Sequence, residues 1–272
     1  MSETGRGKRL LKGLGCLVSL LLVVVVVGAA VVGMQVQSFL STTPDAEGDV
    51  VAVEIAQGAS GRAVADQLYT LGVVTDADHF YLLLRYREAG PGIRAGEFEF
   101  RTDWTPDEVI DALHNAPEMT YPLGVPEGLR YTEIAPRIEA AGMGWSAERF
   151  LELVHDPAVL ERAGVEADDL EGYLFPETYR FSRHATEEDV VEAMLTQFEA
   201  AFGPEEEARA AELGLSRHEI VVLASLVEKE TGVPDERALV AAVYHNRLRI
   251  GMKMECDPTI IYGIEDYDGI IH

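Results

Sequence analysis

The sequence predicts an α+β protein with one N-terminal transmembrane helix, a small α+β module over residues 50–118 and a larger mixed α/β domain over 119–272. Three observations carry that expectation. Residues 13–34 form an apolar run without a charged side chain. From 50 to 118, short strand-like segments and segments of helical periodicity follow one another closely. From 119 onward, helical patterns dominate and are punctuated by Gly and Pro. Residues 1–12 form a basic segment and 35–49 a linker.

The run contains LVSLLLVVVVVGAAVVG. At ~1.5 Å rise per residue, a helix of this length spans a ~30 Å hydrocarbon core. Arg6, Lys8, Arg9 and Lys12 all precede it. The positive-inside rule therefore places the N-terminus in the cytoplasm and the chain beyond about residue 40 outside. A cleaved signal peptide is the competing reading, but the run is long for one and no A-x-A-like cleavage site follows it.

The whole chain carries 22 basic and 47 acidic residues, a net charge of −25. Setting aside the four basic residues and Glu3 that precede the run leaves 18 basic and 46 acidic residues, a balance of −28. Such a surface repels phosphate and anionic headgroups, which excludes nucleic acid as a partner and tells against adhesion to acidic lipid. A neutral, sugar-like ligand is compatible with it. Most of these charges also read simply as a solubilising shell. Cys16 begins the apolar run, where no lipoprotein cysteine lies, and Cys256 is on the other side of the expected membrane. Neither a disulfide nor a cysteine metal cluster is expected.

Within the linker, SFLSTTPDAEGD (38–49) is small, polar and acidic. VVAVEIAQGAS then reads as a strand ending in a turn. Apolar residues at 64, 65, 68 and 71 mark a helix over 61–71, and 79–87 reads as a second. GEFEFR (96–101) alternates as a strand does. Thr105, Pro106 and Glu108 form the start of a helix over 105–115, with a capping box and proline at its first position. In the larger part, PLGVPEGLRYTEIAPRIEA reads as a strand-to-helix turn with Thr132 as the cap, and 147–154 and 187–202 read as helices. EGYLFPETYRF (171–181) is aromatic and broken by Gly172 and Pro176. Ser216 and Glu219 cap a helix over 217–231.

That last helix is apolar on nearly every side, which predicts burial. Ser225 and Lys229 mark its one polar direction. At ~100° per residue, Glu228 lies about 80° from that direction and Glu230 about 120°. Glu230 thus continues the stripe of Ile220, Leu223 and Val227. A carboxyl there loses hydration and holds its proton more tightly, as a general acid requires. A charged helix end in solvent is the competing reading.

ASLVEKETGVPDERALVAAVYHNRLRIGMKMECDPTIIYGI (224–264) resembles the signature region of the endolytic murein transglycosylases, the MltG or YceG-like family. The residues that carry the likeness are Glu228-Lys229-Glu230-Thr231, Asn246-Arg247-Leu248, Gly251-Met252, Asp257-Pro258-Thr259 and Tyr262-Gly263. EGYLFPETYRF and VPEGLRYTEIA resemble its other signatures. The resemblance implies a bacterial inner-membrane anchor, a LysM-like module over 50–118 and a catalytic domain over 119–272 that continues past His272. It implies cleavage of the β-1,4 bond between N-acetylmuramic acid and N-acetylglucosamine inside glycan strands, leaving 1,6-anhydro ends, with Glu230 as the catalytic residue. The partners it implies are glycan strands and cell-wall synthesis proteins.

The same resemblance makes Asn246, Arg247, Asp257, Thr259, Tyr173, Glu171, Glu177 and Glu255 candidates for substrate binding. Each has a plainer reading: a helix cap, a salt bridge, a core aromatic or a surface charge. Phe175 and Tyr179 stand beside Tyr173 as aromatics suited to stacking on sugar. No cofactor or metal is implied, and His155, His184, His218 and His245 lack H-E-x-x-H spacing. The chain departs from the family at Glu255, commonly Gln, and at Cys256, commonly a small polar residue. Two other readings stay open. One is a non-catalytic peptidoglycan-binding scaffold. The other is an ordinary hydrolase using Glu228 or Glu255 as its second carboxylate.

Overall fold

The computed structural model of the chain describes residues 4–262, with side chains from residue 22 onward. Gly263 of the Tyr262-Gly263 pair and the closing DYDGIIH lie outside the described residues. Helix α1 runs from Thr4 to Ser41, past the expected end at Met34. The extra turns have a local cause: no Gly or Pro interrupts the chain between Met34 and Ser41. Hydroxyls also satisfy the terminal carbonyls, Ser41 Oγ donating to Gln37 O at 3.0 Å and Thr42 Oγ1 to Ser38 O at 2.6 Å. The stretch Leu22–Ser41 is long and apolar enough to cross a membrane, and its valines and Leu22 are exposed.

The chain divides into two compact units, Met1–Met119 and Thr120–His272. In the first, β1 (Val50–Ile55), α2 (Gly61–Thr70), α3 (Ala77–Tyr86), β2 (Gly96–Arg101) and α4 (Pro106–Asn115) follow α1. β1 and β2 pair antiparallel, with Val50 opposite Arg101 and Ile55 opposite Gly96. Their alternation sends Val53, Ile55, Phe98 and Phe100 inward, against Leu68, Phe80, Leu84 and Leu113 from the helices. Ser60, Asp76 and Thr105 cap the three helices as local sequence dictates. Phe39, near the end of α1, packs on this core and lies 5.4 Å from the His79 ring.

The second unit contains β3 (Tyr121–Gly124), α5 (Tyr131–Glu139), α6 (Ala147–Val154), α7 (Pro157–Arg162), β4 (Thr178–Phe181), α8 (Glu187–Ala201), α9 (Pro204–Leu213), α10 (Arg217–Glu230), α11 (Pro234–Arg249) and α12 (Asp257–Tyr262). The expected mixture of helices and strands is present, within an α+β fold. Among the described residues the sheet is one antiparallel pair, β3 with β4, Tyr121 opposite Phe181. The arrangement is α+β and dominated by helices. Proline begins α7, α9 and α11, where its missing N–H has no partner to lose. The cap of α5 is Arg130 and not Thr132, because the Glu133 carboxylate accepts the Arg130 N–H at 2.9 Å.

The core of this unit is built from Ile134, Ile138, Phe150, Leu153, Leu170, Val190, Met194 and Phe198. α10 enters it along one edge, through Val221, which is 7% exposed, with His218 against Tyr173 and Arg217 over Phe198. The expectation of a helix buried on nearly every side is therefore wrong: Val222 is 43% exposed, and Ile220, Leu223, Leu226 and Val227 are half-buried. Apolar composition implied burial, but one edge alone meets the core. Gly172 permits that contact. Its φ is +82°, and a Cβ there would lie 2.6 Å from Val221 Cγ1. Gly172→Ala is expected to destabilise the protein by about 1–3 kcal/mol through overpacking and left-handed strain. Denaturant unfolding checks this, and Gly164→Ala, also at positive φ but with open space around it, separates strain from the clash.

Candidate active site

Glu230 is the last residue of α10. Thr231, 8% exposed, follows in extended conformation and turns the chain. Its hydroxyl accepts the Val233 N–H at 3.1 Å and donates to Glu236 Oε2 at 2.9 Å. Pro234 then begins α11. This turn brings Tyr244 of α11 back to the end of α10, where Tyr244 Oη donates to Glu230 Oε2 at 3.1 Å. Tyr244 is only 4% exposed. Burial, together with Cys256 and Glu230 against the same hydroxyl, pushes its phenol well above the usual tyrosine range, so it remains a donor. Glu230 is itself exposed. The desolvated apolar stripe expected for it is absent, because Ile220, Leu223 and Val227 are only partly covered.

The neighbouring side chains fix the end of the helix. Glu228 pairs with Arg237 of α11 at 3.1 Å. Lys229 Nζ donates to the Gly128 carbonyl at 2.7 Å, joining the VPEGLR turn to α10. Gly128 has φ +74°, and a Cβ there would approach the Glu228 carboxylate to 3.7 Å. Glu171, half-buried, accepts the Tyr131 N–H at 3.3 Å. Burial pushes its carboxyl above the ordinary glutamate range, against the pull of that N–H and of the Arg130 and Lys229 charges. The Arg130 guanidinium lies 4.5 Å from the Tyr262 ring centroid. Arg130, Tyr262 and Lys229 thus gather around Glu171.

The other candidates divide. Asn246 is exposed on α11. Arg247 donates to the Met254 carbonyl and holds the segment that leads to α12. Glu255 is exposed at φ +49°, and Asp257 is exposed at the start of α12. Thr259, also exposed, donates to the Cys256 carbonyl at 2.7 Å, a bond within its own turn. Glu177 is exposed, and its carboxylate accepts the next residue's N–H at 2.8 Å. Tyr173 is 1% exposed, tilted against Phe198, with Oη 3.0 Å from His218 Nδ1. Its ring is part of the core and presents no face to a sugar. Tyr179 is buried too, its hydroxyl donating to Phe175 O at 2.6 Å.

Sequence reasoning missed Tyr244, Arg237, Arg130 and the placement of Tyr262. Tyr244 sits in an unremarked helix 14 residues past Glu230, beyond the turn at Thr231, so no single helix carries both residues. The pH dependence of Glu171 can be tested directly. Its folded pKa is raised, so the native state binds the proton more tightly than the unfolded chain. Stability then falls as pH rises from the unfolded towards the folded value. Glu171→Gln keeps an acceptor for Tyr131 N and removes the titration. The variant is expected to gain stability relative to the parent as pH rises from about 4 to neutrality, read from unfolding midpoints; a constant difference would refute it.

Comparison with known proteins shows the family and the fold. The solved structure of a YceG-like protein from Listeria monocytogenes superposes with a TM-score of 0.50 at 23% identity, covering 82% of this chain and 78% of that one. The endolytic murein transglycosylase of Bacillus subtilis is 28% identical over 228 residues, 78% of this chain and 62% of its own length. The protein of that name from Streptococcus pneumoniae serotype 2 is 27% identical over 237 residues, 78% of this chain and 43% of its own length. This chain therefore spans only part of the curated relatives it matches. The YceG-like family model matches residues 53–272, which covers most of both units, and the chain belongs to the YceG-like family.

Proposed function

We propose that the chain is a membrane-anchored endolytic lytic transglycosylase of peptidoglycan with Glu230 as its acid/base. The observation that carries this reading is the exposed Glu230 carboxylate, held by Tyr244 at the end of α10, in a chain whose curated relatives are named endolytic murein transglycosylases. Glu228 is engaged by Arg237, which leaves Glu230 as the carboxylate of this turn that faces solvent with no cationic partner within salt-bridge distance among the described residues.

The reaction needs a single carboxyl. Glu230 protonates the oxygen of N-acetylglucosamine as its bond to C1 of N-acetylmuramic acid breaks. The carboxylate then takes the proton of the muramic 6-hydroxyl as that oxygen bonds to C1. No water is consumed and Glu230 returns to its starting state. The nucleophile is tethered to the reacting centre, so proximity is built into the substrate. Ordinary glycosidases need a second carboxylate for that task. Because Glu230 is exposed, the bound glycan itself would have to exclude water from it.

Asn246, Arg247, Asp257, Thr259, Glu171, Glu177 and Glu255 are proposed to line or shape the cleft, Glu171 from a partly buried position beside Lys229. The β-α-α-β order of residues 50–101 supports a LysM-like reading of the first module. The apolar α1 supports a single-pass inner-membrane anchor with a cytoplasmic N-terminus, the activity lying outside, where it would end nascent strands beside wall-synthesis proteins. External protease should then digest the chain beyond residue 42 in spheroplasts and spare its N-terminal end.

Incubation of purified glycan strands with the full chain, followed by mass spectrometry, tests the activity. The parent is expected to create 1,6-anhydromuramic ends, and Glu230→Gln to lose roughly 10²-fold or more in rate. Reducing ends instead would indicate hydrolysis. An unaffected Glu230→Gln would remove Glu230 from the chemistry.

A further inference from the structure

We propose that Tyr244 is a positioning residue that fixes which oxygen of Glu230 carries the proton; this rests on the acid/base reading of Glu230 above. An exposed glutamate at a helix end has several rotamers of similar energy. Such freedom dilutes the fraction of molecules with the carboxyl aimed at a glycosidic oxygen. Here the free end of Glu230 meets a group with no such freedom. Tyr244 is 4% exposed, and its Oη lies 3.1 Å from Oε2. The buried Cys256 abuts the same hydroxyl.

The bond also sets the direction of transfer. While the phenol donates to Oε2, that oxygen acts as an acceptor, and the proton of the neutral carboxyl belongs on Oε1. Oε1–H is then the donor to the leaving oxygen as C1–O4 breaks. The same Oε1, now anionic, receives the proton of the 6-hydroxyl as O6–C1 forms. One oxygen gives and takes the proton while the other stays tied to the core. The phenol keeps its proton throughout, as its raised pKa requires.

Tyr244→Phe removes the hydroxyl and leaves the ring. In the full chain acting on glycan strands, it is expected to lower kcat about tenfold to hundredfold with KM within about twofold, since geometry is lost and binding is not. In a Glu230→Gln background the same change is expected to cause no further loss, because there is no longer a proton on Glu230 to aim. An unchanged kcat, or a loss of equal size in both backgrounds, overturns the proposal. Denaturant unfolding of Tyr244→Phe, Glu230→Ala and the double variant reads the Tyr244–Glu230 coupling without activity, because alanine leaves the phenol no acceptor; additive effects would show that the contact is not made in solution. If Glu230→Gln keeps full activity while the stability coupling is present, the acid/base reading has failed and the contact has not.

Discussion

α10 reaches the core of its unit along one edge of its first turns, where His218 meets Tyr173 and Gly172 makes room for Val221. Everything at the candidate site depends on where α10 ends, so this one close approach has consequences well beyond its own contact area. A helix seated along one edge can keep its C-terminal turn at the surface. A helix buried all round would carry Glu230 into the interior, where a polysaccharide could not follow. The aromatic EGYLFPE segment therefore serves the site by packing: Gly172 admits Val221, and Tyr173 fills the core behind it.

The end of a helix presents unpaired carbonyls and a partial negative charge, an unfavourable place for two glutamates. The chain offsets this with side chains drawn from distant elements. Arg237 neutralises Glu228, Lys229 caps the Gly128 carbonyl, and the neutral Tyr244 donates to Glu230. The difference in partner matters chemically. A cation bound to Glu230 would hold it ionised and spoil it as an acid, whereas a phenol steadies the carboxyl in both of its protonation states.

The first module handles a mechanical problem. α1 continues as helix to Ser41, and Phe39 packs on the core formed by β1, β2 and the helices that cover them. The end of the apolar helix is thereby fastened to folded protein. Of the expected linker over 35–49, only the stretch after Ser41 is free of helix before β1 begins at Val50.

Local rules were enough for much of the fold. The capping box at Thr105, the cap at Ser216, the alternation of GEFEFR and the helix over 147–154 all depend on interactions within a few residues, and all are present in the structure. Proline starts would also have revealed α7, α9 and α11. The sequence also singled out the end of α10 and its glutamates, both by motif and by the polar break in an apolar helix. Burial was another matter. Whether Ile220 and Val227 meet core or solvent depends on how many neighbouring elements arrive, which periodicity cannot count. The same holds for Tyr173, read as a sugar platform and found as core. Tyr244, Arg237 and Arg130 became part of the site only through the turn at Thr231 and the approach of the Gly128 loop, because hydrogen bonds between elements depend on backbone paths that no local pattern encodes. Sequence alone determined which elements form and which carboxylates end the helix; only tertiary structure decided which of them is held, by what, and how much water it keeps.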